Sequence, residues 1–300
     1  MLLQTMARAL EWTPNVASIV YSPHPHLIPV EAKVVRDLVP RGGLANGLPH
    51  LTQIPQNRSE HPFRGLIGAL YLSQYSGVRE LRIEASRDDE SGTPFTFAFF
   101  DFPDAIDFQA GRYLFQNLER CELNIKIWSR HDDGGKQRVA NLSRMLAAAH
   151  DLRHLTLHIT SSQLSLMGLQ PDQSMCAPLG LMKTWHKLRS LSLGGIYADG
   201  KEFLDLIRRH RYTITNLSFR KCSLFSGAWA DVVDEVVYST GILPFVLDSV
   251  NETMIPTGNG TAQSSAELEE WRYEGHVEVS TDGERNFVRT NSTPCNSDYR

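Results

Sequence analysis

Residues 188–219 read LRSLSLGGIYADGKEFLDLIRRHRYTITNLSF. The stretch opens on Leu188-Arg189-Ser190-Leu191-Ser192-Leu193 and closes on Ile214-Thr215-Asn216-Leu217-Ser218-Phe219. Both are the phrase apolar-x-x-apolar-x-apolar, whose last two apolar residues alternate as on a strand with one buried face. Between them Phe203, Leu206 and Ile207 share one helical stripe. Strand, helix and strand in that order form a crossover unit, which makes the two strands parallel.

Working outward, the phrase recurs as Val16–Ile19–Tyr21, Val78–Leu81–Ile83, Leu118–Cys121–Leu123 and Leu152–Leu155–Leu157. Phe63, Leu66, Ile67, Leu70 and Tyr71 form a helical stripe before the second strand, and Val139, Leu142, Met145, Leu146 and Ala149 form one before the fourth. Trp229, Val232, Val233, Val236 and Val237 repeat the spacing after the sixth, where burial has to offset valine's modest helix propensity. Each unit has one apolar face that only its neighbours can cover. The expected fold is α/β: a curved, leucine-rich-repeat-like solenoid over 1–250, with a parallel sheet on the inner face and helices outside. The spacing is uneven. Central residues of the six phrases lie 62, 40, 34, 36 and 26 apart, against about 20–29 residues in regular leucine-rich repeats. The asparagine that usually follows the strand is missing as well, so the repeats are degenerate and residues 22–61 and 84–103 read as long insertions. In the second insertion Phe95, Phe97, Phe99, Phe100 and Phe102 crowd together, as expected of a strand plugged into the core.

Composition sets the outer limits. The 300 residues are 41% hydrophobic and 21% charged, with a formal charge of −4. That balance argues against a nucleic-acid binder acting through bulk positive charge. No run of 18 apolar residues occurs, so no membrane partner is expected, and MLLQTMARAL is too short and interrupted for a signal peptide. Four scattered cysteines without a C-x-x-C pair fit reduced thiols. The expected location is intracellular, cytoplasmic or nuclear. Residues 251–300 hold four Arg, no Lys and nine acids, a net of −5, which leaves +1 on residues 1–250. They form a second region, an acidic and weakly structured tail. It opens on the linker-like NETMIPTGNGTAQSS and holds one candidate hairpin at Val277, Val279, Asp282-Gly283 and Phe287.

Residues 185–233, WHKLRSLSLGGIYADGKEFLDLIRRHRYTITNLSFRKCSLFSGAWADVV, and 100–125, FDFPDAIDFQAGRYLFQNLERCELNI, resemble fungal F-box-type proteins with degenerate leucine-rich repeats. The resemblance covers roughly residues 1–250 and rests on repeat phrasing. It implies a substrate-recognition region of a cullin-type ubiquitin ligase, in which an N-terminal F-box binds the ligase adaptor and the repeats capture substrate. Here Leu27-Ile28-Pro29-Val30-Glu31 follows a repeat strand, and Arg41-Gly42-Gly43 interrupts any helix beyond it. An adaptor contact is therefore expected only if an F-box exists outside this chain.

Two constellations imitate chemistry. Gly195-Ile196-Tyr197-Ala198-Asp199-Gly200-Lys201-Glu202 matches most of a phosphate loop, but Glu202 stands where a magnesium-binding hydroxyl belongs. Asp199 and Glu202 read better as the capping box of the following helix. His150, His154 and His158 are spaced by four. On a strand, however, His154 and His158 stand about 13 Å apart, too far for one zinc ion. No nucleophile elbow, zincin helix or dinucleotide loop occurs. No catalytic residue, cofactor or metal is expected, and an enzyme would need a site in the loops 22–61 or 84–103.

If the strands are parallel and in register, alternation assigns an outward ladder on the inner curve: Ser18, Val20 and Ser22; Glu80, Arg82 and Glu84; Arg120, Glu122 and Asn124; His154, Thr156 and His158; Ser190, Ser192 and Gly194; Asn216, Ser218 and Arg220. Mixed charge followed by small polar groups suits recognition of a protein partner of unknown identity. The expected function is a non-enzymatic protein–protein interaction module, and the alternative is a free-standing repeat scaffold without a ligase link.

Overall fold

The computed structural model describes residues 2–22, 62–85, 95–102, 104–126, 135–160, 173–242 and 245–253, with further strands at 270–272, 277–279 and 285–287. Each of the six apolar phrases is a strand. They are β1 (Ser18–Tyr21), β2 (Glu80–Ile83), β3 (Arg120–Lys126), β4 (His154–Thr160), β5 (Ser190–Gly194) and, beyond the short β6 (Tyr197–Asp199), β7 (Asn216–Arg220). After β8 (Ser223–Ser226) comes a seventh strand of the same kind, β9 (Phe245–Asp248). β1, β2, β3, β4, β5, β7 and β9 lie side by side in chain order, all parallel. Their register is even: Ser18, Glu80, Arg120, His154, Ser190 and Asn216 form one row across the sheet.

Alternation explains why the strands stack this way. Leu81, Ile83, Cys121, Leu123, Leu155, Leu157, Leu191, Leu193, Leu217, Phe219, Phe245 and Leu247 point to one side and are buried. The helices on that side are α1 (Leu2–Trp12), α2 (Pro62–Leu72), α3 (Ala105–Gln116), α4 (Gly135–Ala148) and α5 (Gly200–His210). Phe63, Ile67 and Leu70 of α2 are buried, as are Val139, Leu142, Met145 and Leu146 of α4 and Phe203, Leu206 and Ile207 of α5. Asp104 caps α3 by accepting from the N–H groups of Ile106 and Asp107. The valine run begins as α6 (Trp229–Asp234) and widens into a π-helical turn over Glu235–Thr240. Gly241, at φ +63°, ends it by donating to the Val236 carbonyl. The described part of the β4–β5 connection carries turns in place of a helix, and it buries Met175, Leu179, Leu181 and Trp185. There His210 fixes Trp185. Its Nε2 accepts from the Trp185 N–H at 3.0 Å while Nδ1 donates to the Leu206 carbonyl at 2.9 Å, and burial lowers its pKa.

The phenylalanine-rich segment departs from the expected strand. It is a 3₁₀ turn, Phe97–Phe100, begun by Thr96. Phe95, Phe97, Phe99 and Phe100 are buried, with Phe95 stacked on Phe99 at 4.0 Å and edge-on to Phe63 at 5.5 Å. The Phe95 carbonyl accepts from the Lys126 N–H at the end of β3 at 2.8 Å, and beyond it side chains hold the segment. Asn141 donates to the Phe100 carbonyl at 2.8 Å, Arg64 donates to those of Ala98 and Asp101, and Arg138 pairs with the Asp101 carboxylate at 3.1 Å. On a strand Phe95, Phe97 and Phe99 would share one side while Phe100 faced the other, so the chain coils and turns all four inward together.

Past β5, β7 and β9 the chain makes one repeated corner. Gly195, Lys221 and Ser249 have φ of +65°, +51° and +53°, and Ile196, Cys222 and Val250 after them are buried. The corners feed β6, β8 and β10 (Asn251–Thr253), which pair in parallel as a second sheet with β11 (Glu270–Arg272) antiparallel at its end. In the main sheet β12 (Val277–Val279) pairs antiparallel with β9, and β13 (Arg285–Phe287) pairs with β12, Val277 opposite Phe287. Asp282-Gly283 lies outside the described residues.

A Cβ on Gly195 would stand 1.9 Å from the Ile159 carbonyl oxygen, whereas one on Gly241 would meet nothing within 4 Å. Gly241→Ala is expected to cost about 1–2 kcal/mol, the left-handed penalty alone. Gly195→Ala is expected to cost about 3 kcal/mol or more, because the β4–β5 edge must also shift. Urea unfolding of the two variants measures the difference, and equal losses would contradict the corner described here.

Candidate binding surface

Parallel sheets are ordinarily covered on both faces. Here the described crossovers cover one, and the outward set on the other face is half-buried or exposed along most of its length. The backbone of this face is committed to the ladder, so its chemistry is that of side chains. Register places them in rows. Val20, Arg82, Glu122, Thr156, Ser192, Ser218 and Val246 form the middle row. Glu84, Asn124, His158, Gly194, Arg220 and Asp248 run along one side of it, with Glu84 bonded through its N–H to the Tyr21 carbonyl next to Ser22. The row led by Ser18 runs along the other side. All eighteen positions read from the sequence lie on strands of this sheet or at their ends.

The two halves of the face differ electrostatically. On β2 and β3 the charges neutralise one another: Arg82 lies 3.5 Å from Glu122 and 3.8 Å from Glu84, and Arg120 lies 3.7 Å from Glu80. Asn124 donates to the Ile83 carbonyl at 2.6 Å. Such exposed pairs contribute about 0–1 kcal/mol each, and with Lys126 at the end of β3 three cations meet three glutamates, which leaves no net charge to attract a partner. From β4 onward the acids thin out. His158 bonds the Ser192 hydroxyl at 3.1 Å and lies against Gly194, where a Cβ would stand 2.6 Å from its Cδ2. Burial lowers the His158 pKa, and Arg220 lowers it further. Burial also lowers that of His154, helped by Arg120, Arg189 and Arg153 and opposed by Glu80. In both cases the shift favours the neutral ring. Ser218 is only 7% exposed, and its hydroxyl has no hydrogen-bond partner.

Two groups on this surface escape the ladder as read from alternation alone. One is a row at the strand entrances, Arg79, Glu119, Arg153, Arg189 and Thr215, joined by backbone bonds from each residue to the one before it. Glu119 is shared by Arg79 at 4.0 Å and Arg153 at 3.5 Å. The signal was present, since each residue follows the first apolar residue of its phrase. The other group is Val246 and Asp248 on β9, heralded by Ile242–Phe245–Leu247, which repeats the phrase.

The constellations that imitate chemistry take structural roles. Tyr197–Asp199 is strand β6, and Asp199 with Glu202 forms the capping box of α5. His150 sits in a turn with Lys183 at 3.5 Å, apart from the strand that carries His154 and His158. Among the described residues no three His, Cys, Asp or Glu side chains gather to hold a metal ion, and no helix is long and apolar enough to cross a membrane. Cys121, Cys176 and Cys222 are free and buried, and burial pushes their thiols up, Cys222 to about 12. An open depression of about 500 Å³ lies at the end of α5, lined by Asp205, Arg208, Arg209, Arg211, Tyr212 and Glu235. Its arginines are engaged: Arg208 with Glu235 at 2.7 Å, Arg209 with the Leu181 and Met182 carbonyls, Arg211 with Tyr212. The loop 22–61 beyond Ser22 lies outside the described residues, as do 86–94 and 103 of the loop 84–103. No protein-family model matches the chain, and no curated protein matches it in sequence.

Gly194→Ala is expected to push the His158 ring off the sheet. Because burial is the main cause of its lowered pKa, the displaced ring should titrate closer to the ordinary 6.5. NMR titration of the ring protons reads this, and an unchanged His158 titration would contradict the packing of ring on glycine.

Proposed function

We propose that the chain is a non-enzymatic protein-interaction module, a curved solenoid of degenerate leucine-rich repeats that binds a protein partner on its open sheet face. The observation that carries this reading is the open face itself: seven parallel strands in chain order, buried on one side and left to side chains on the other. Solenoids stack one-faced units in this manner and use the extended surface for binding. The corner supports the same reading. Ile214, Leu217, Phe219, Cys222 and Leu224 follow the spacing L-x-x-L-x-L-x-x-N/C-x-L. The Cys222 thiol lies 3.5 Å from the Leu193 and Arg220 carbonyls, which places it to bind the backbone where the usual Asn or Cys does. Ile196 and Val250 keep the place without the polar atom, so two of the three corners rely on burial and on backbone bonds between them.

The repeat phrasing shared with fungal F-box proteins makes substrate recognition for a cullin-type ubiquitin ligase the leading role, with an F-box supplied outside this chain. Without one, the module serves as a free-standing scaffold in the cytoplasm or nucleus.

Site-directed photo-crosslinking tests the reading. A benzophenone amino acid replaces Thr156 on the open face, or Lys136 on the exposed side of α4. In native lysate the face position is expected to crosslink one protein partner specifically and the helix position none. Equal crosslinking from both positions, or none from the face, would sink the proposal. Recovery of a cullin adaptor with the partner separates the ligase role from the scaffold.

A further inference from the structure

Most charges on the open face are accounted for by ion pairs, which makes the exceptions informative. Arg189 and Arg220 are exposed and have no ion pair or side-chain hydrogen bond among the described residues. From β4 to β9 the face and its entrance carry three arginines, Arg153, Arg189 and Arg220, against one acid, Asp248. Arg153 shares Glu119 of the neighbouring unit, and Asp248 accepts from the Ser249 hydroxyl at 2.9 Å. The two free guanidinium groups stand at opposite ends of the strands. Arg189 lies level with Thr215, five residue steps from Arg220 along β7, about 16 Å at ~3.3 Å per residue.

Between these cations the surface is made of small hydrogen-bonding groups: Ser190, Ser192, Asn216 and Ser218, flanked by His154 and His158. The buried Ser218 hydroxyl without a partner is the second, independent sign of a missing ligand. A polar group removed from water without a hydrogen bond is costly and rare in a folded protein. It sits in the valley between Ser192 and Val246, midway between the two arginines.

We propose that the β4–β7 half of the open face docks an extended acidic peptide segment of the partner, lying along the strands, with two anionic positions about five residues apart held by Arg189 and Arg220. This rests on the interaction-module reading and names the chemistry of its partner. Carboxylate or phosphorylated side chains both satisfy the arginines through charge-assisted hydrogen bonds. The segment's polar backbone meets Ser192 and Ser218, and His154 and His158 on the adjoining strand offer ring nitrogens. A nucleic acid fits poorly: it carries a phosphate at every residue, and the described face presents no Phe, Tyr or Trp platform for bases between the arginines.

The test uses the full chain and three probes: a glycine–serine dodecapeptide with glutamate doublets at positions 3–4 and 8–9, the same composition with four consecutive glutamates, and a uridine dodecamer. Binding is followed through the ring NMR signals of His154 and His158. The spaced peptide is expected to shift both rings saturably and to bind at least fivefold tighter than the clustered one. Arg189→Ala and Arg220→Ala should each weaken it at least fivefold, while Lys136→Ala on α4 leaves it unchanged. No response to the spaced peptide, equal binding of the clustered one, indifference to either arginine, or tighter binding of the uridine dodecamer would overturn the proposal. The interaction-module reading fails separately, when Thr156 captures no partner by crosslinking.

Discussion

One-sided burial of a parallel sheet is the constraint on which the rest of this molecule depends. Each strand carries two or three apolar residues on one side, and those residues are covered only when its own crossover and both neighbours are in place. Leu81, Leu123, Leu157, Leu191 and Leu217 reach complete burial because every strand starts level with the one before it. A slip of one residue in any pair would put a leucine on the open face and a charged side chain against the helices. Even register is thus enforced at each of six strand pairs, and the outward rows follow from it with no further interaction. At the last parallel strand, β12 and β13 occupy the edge that β9 would otherwise expose.

The same constraint shapes the chemistry. A ladder that uses the whole backbone leaves the open face only side-chain groups, arranged on a lattice of about 4.8 Å between strands. On β2 and β3 that lattice brings Arg and Glu opposite each other and they cancel. On β5 and β7 serines replace them, and the strand ends keep two arginines without partners. The face therefore changes from self-neutralised to cation-bearing along the chain, although the composition as a whole is mildly acidic.

Much of this was legible in the sequence, because alternation and helical spacing are local signals. Leu188–Leu191–Leu193 and Ile214–Leu217–Phe219 announce both strands and their shared register, and Asp199 with Glu202 announces the start of α5. What was not legible depends on distant partners. The segment from Phe95 to Phe102 has strand-like composition, yet Asn141 and Arg64 hold its carbonyls, and Arg138 its Asp101 carboxylate, from two helices. β9 repeats the phrase, but Pro244 beside Phe245 obscures it, and its strand follows from pairing with β7. On the surface, alternation named the outward residues but not their pairing. That Arg82 is matched and Arg189 is not follows from which glutamates the neighbouring strands bring within reach.

Spin-label distances test the shared sheet most directly. With Cys295 replaced by serine, nitroxides at Ser18→Cys and Asn216→Cys mark the first and sixth parallel strands at the same level. Five strand spacings of about 4.8 Å predict one narrow distance distribution near 24 Å. A broad distribution, or one centred beyond about 35 Å, would mean that these strands do not share one in-register sheet, and the open face and its arginines would go with it.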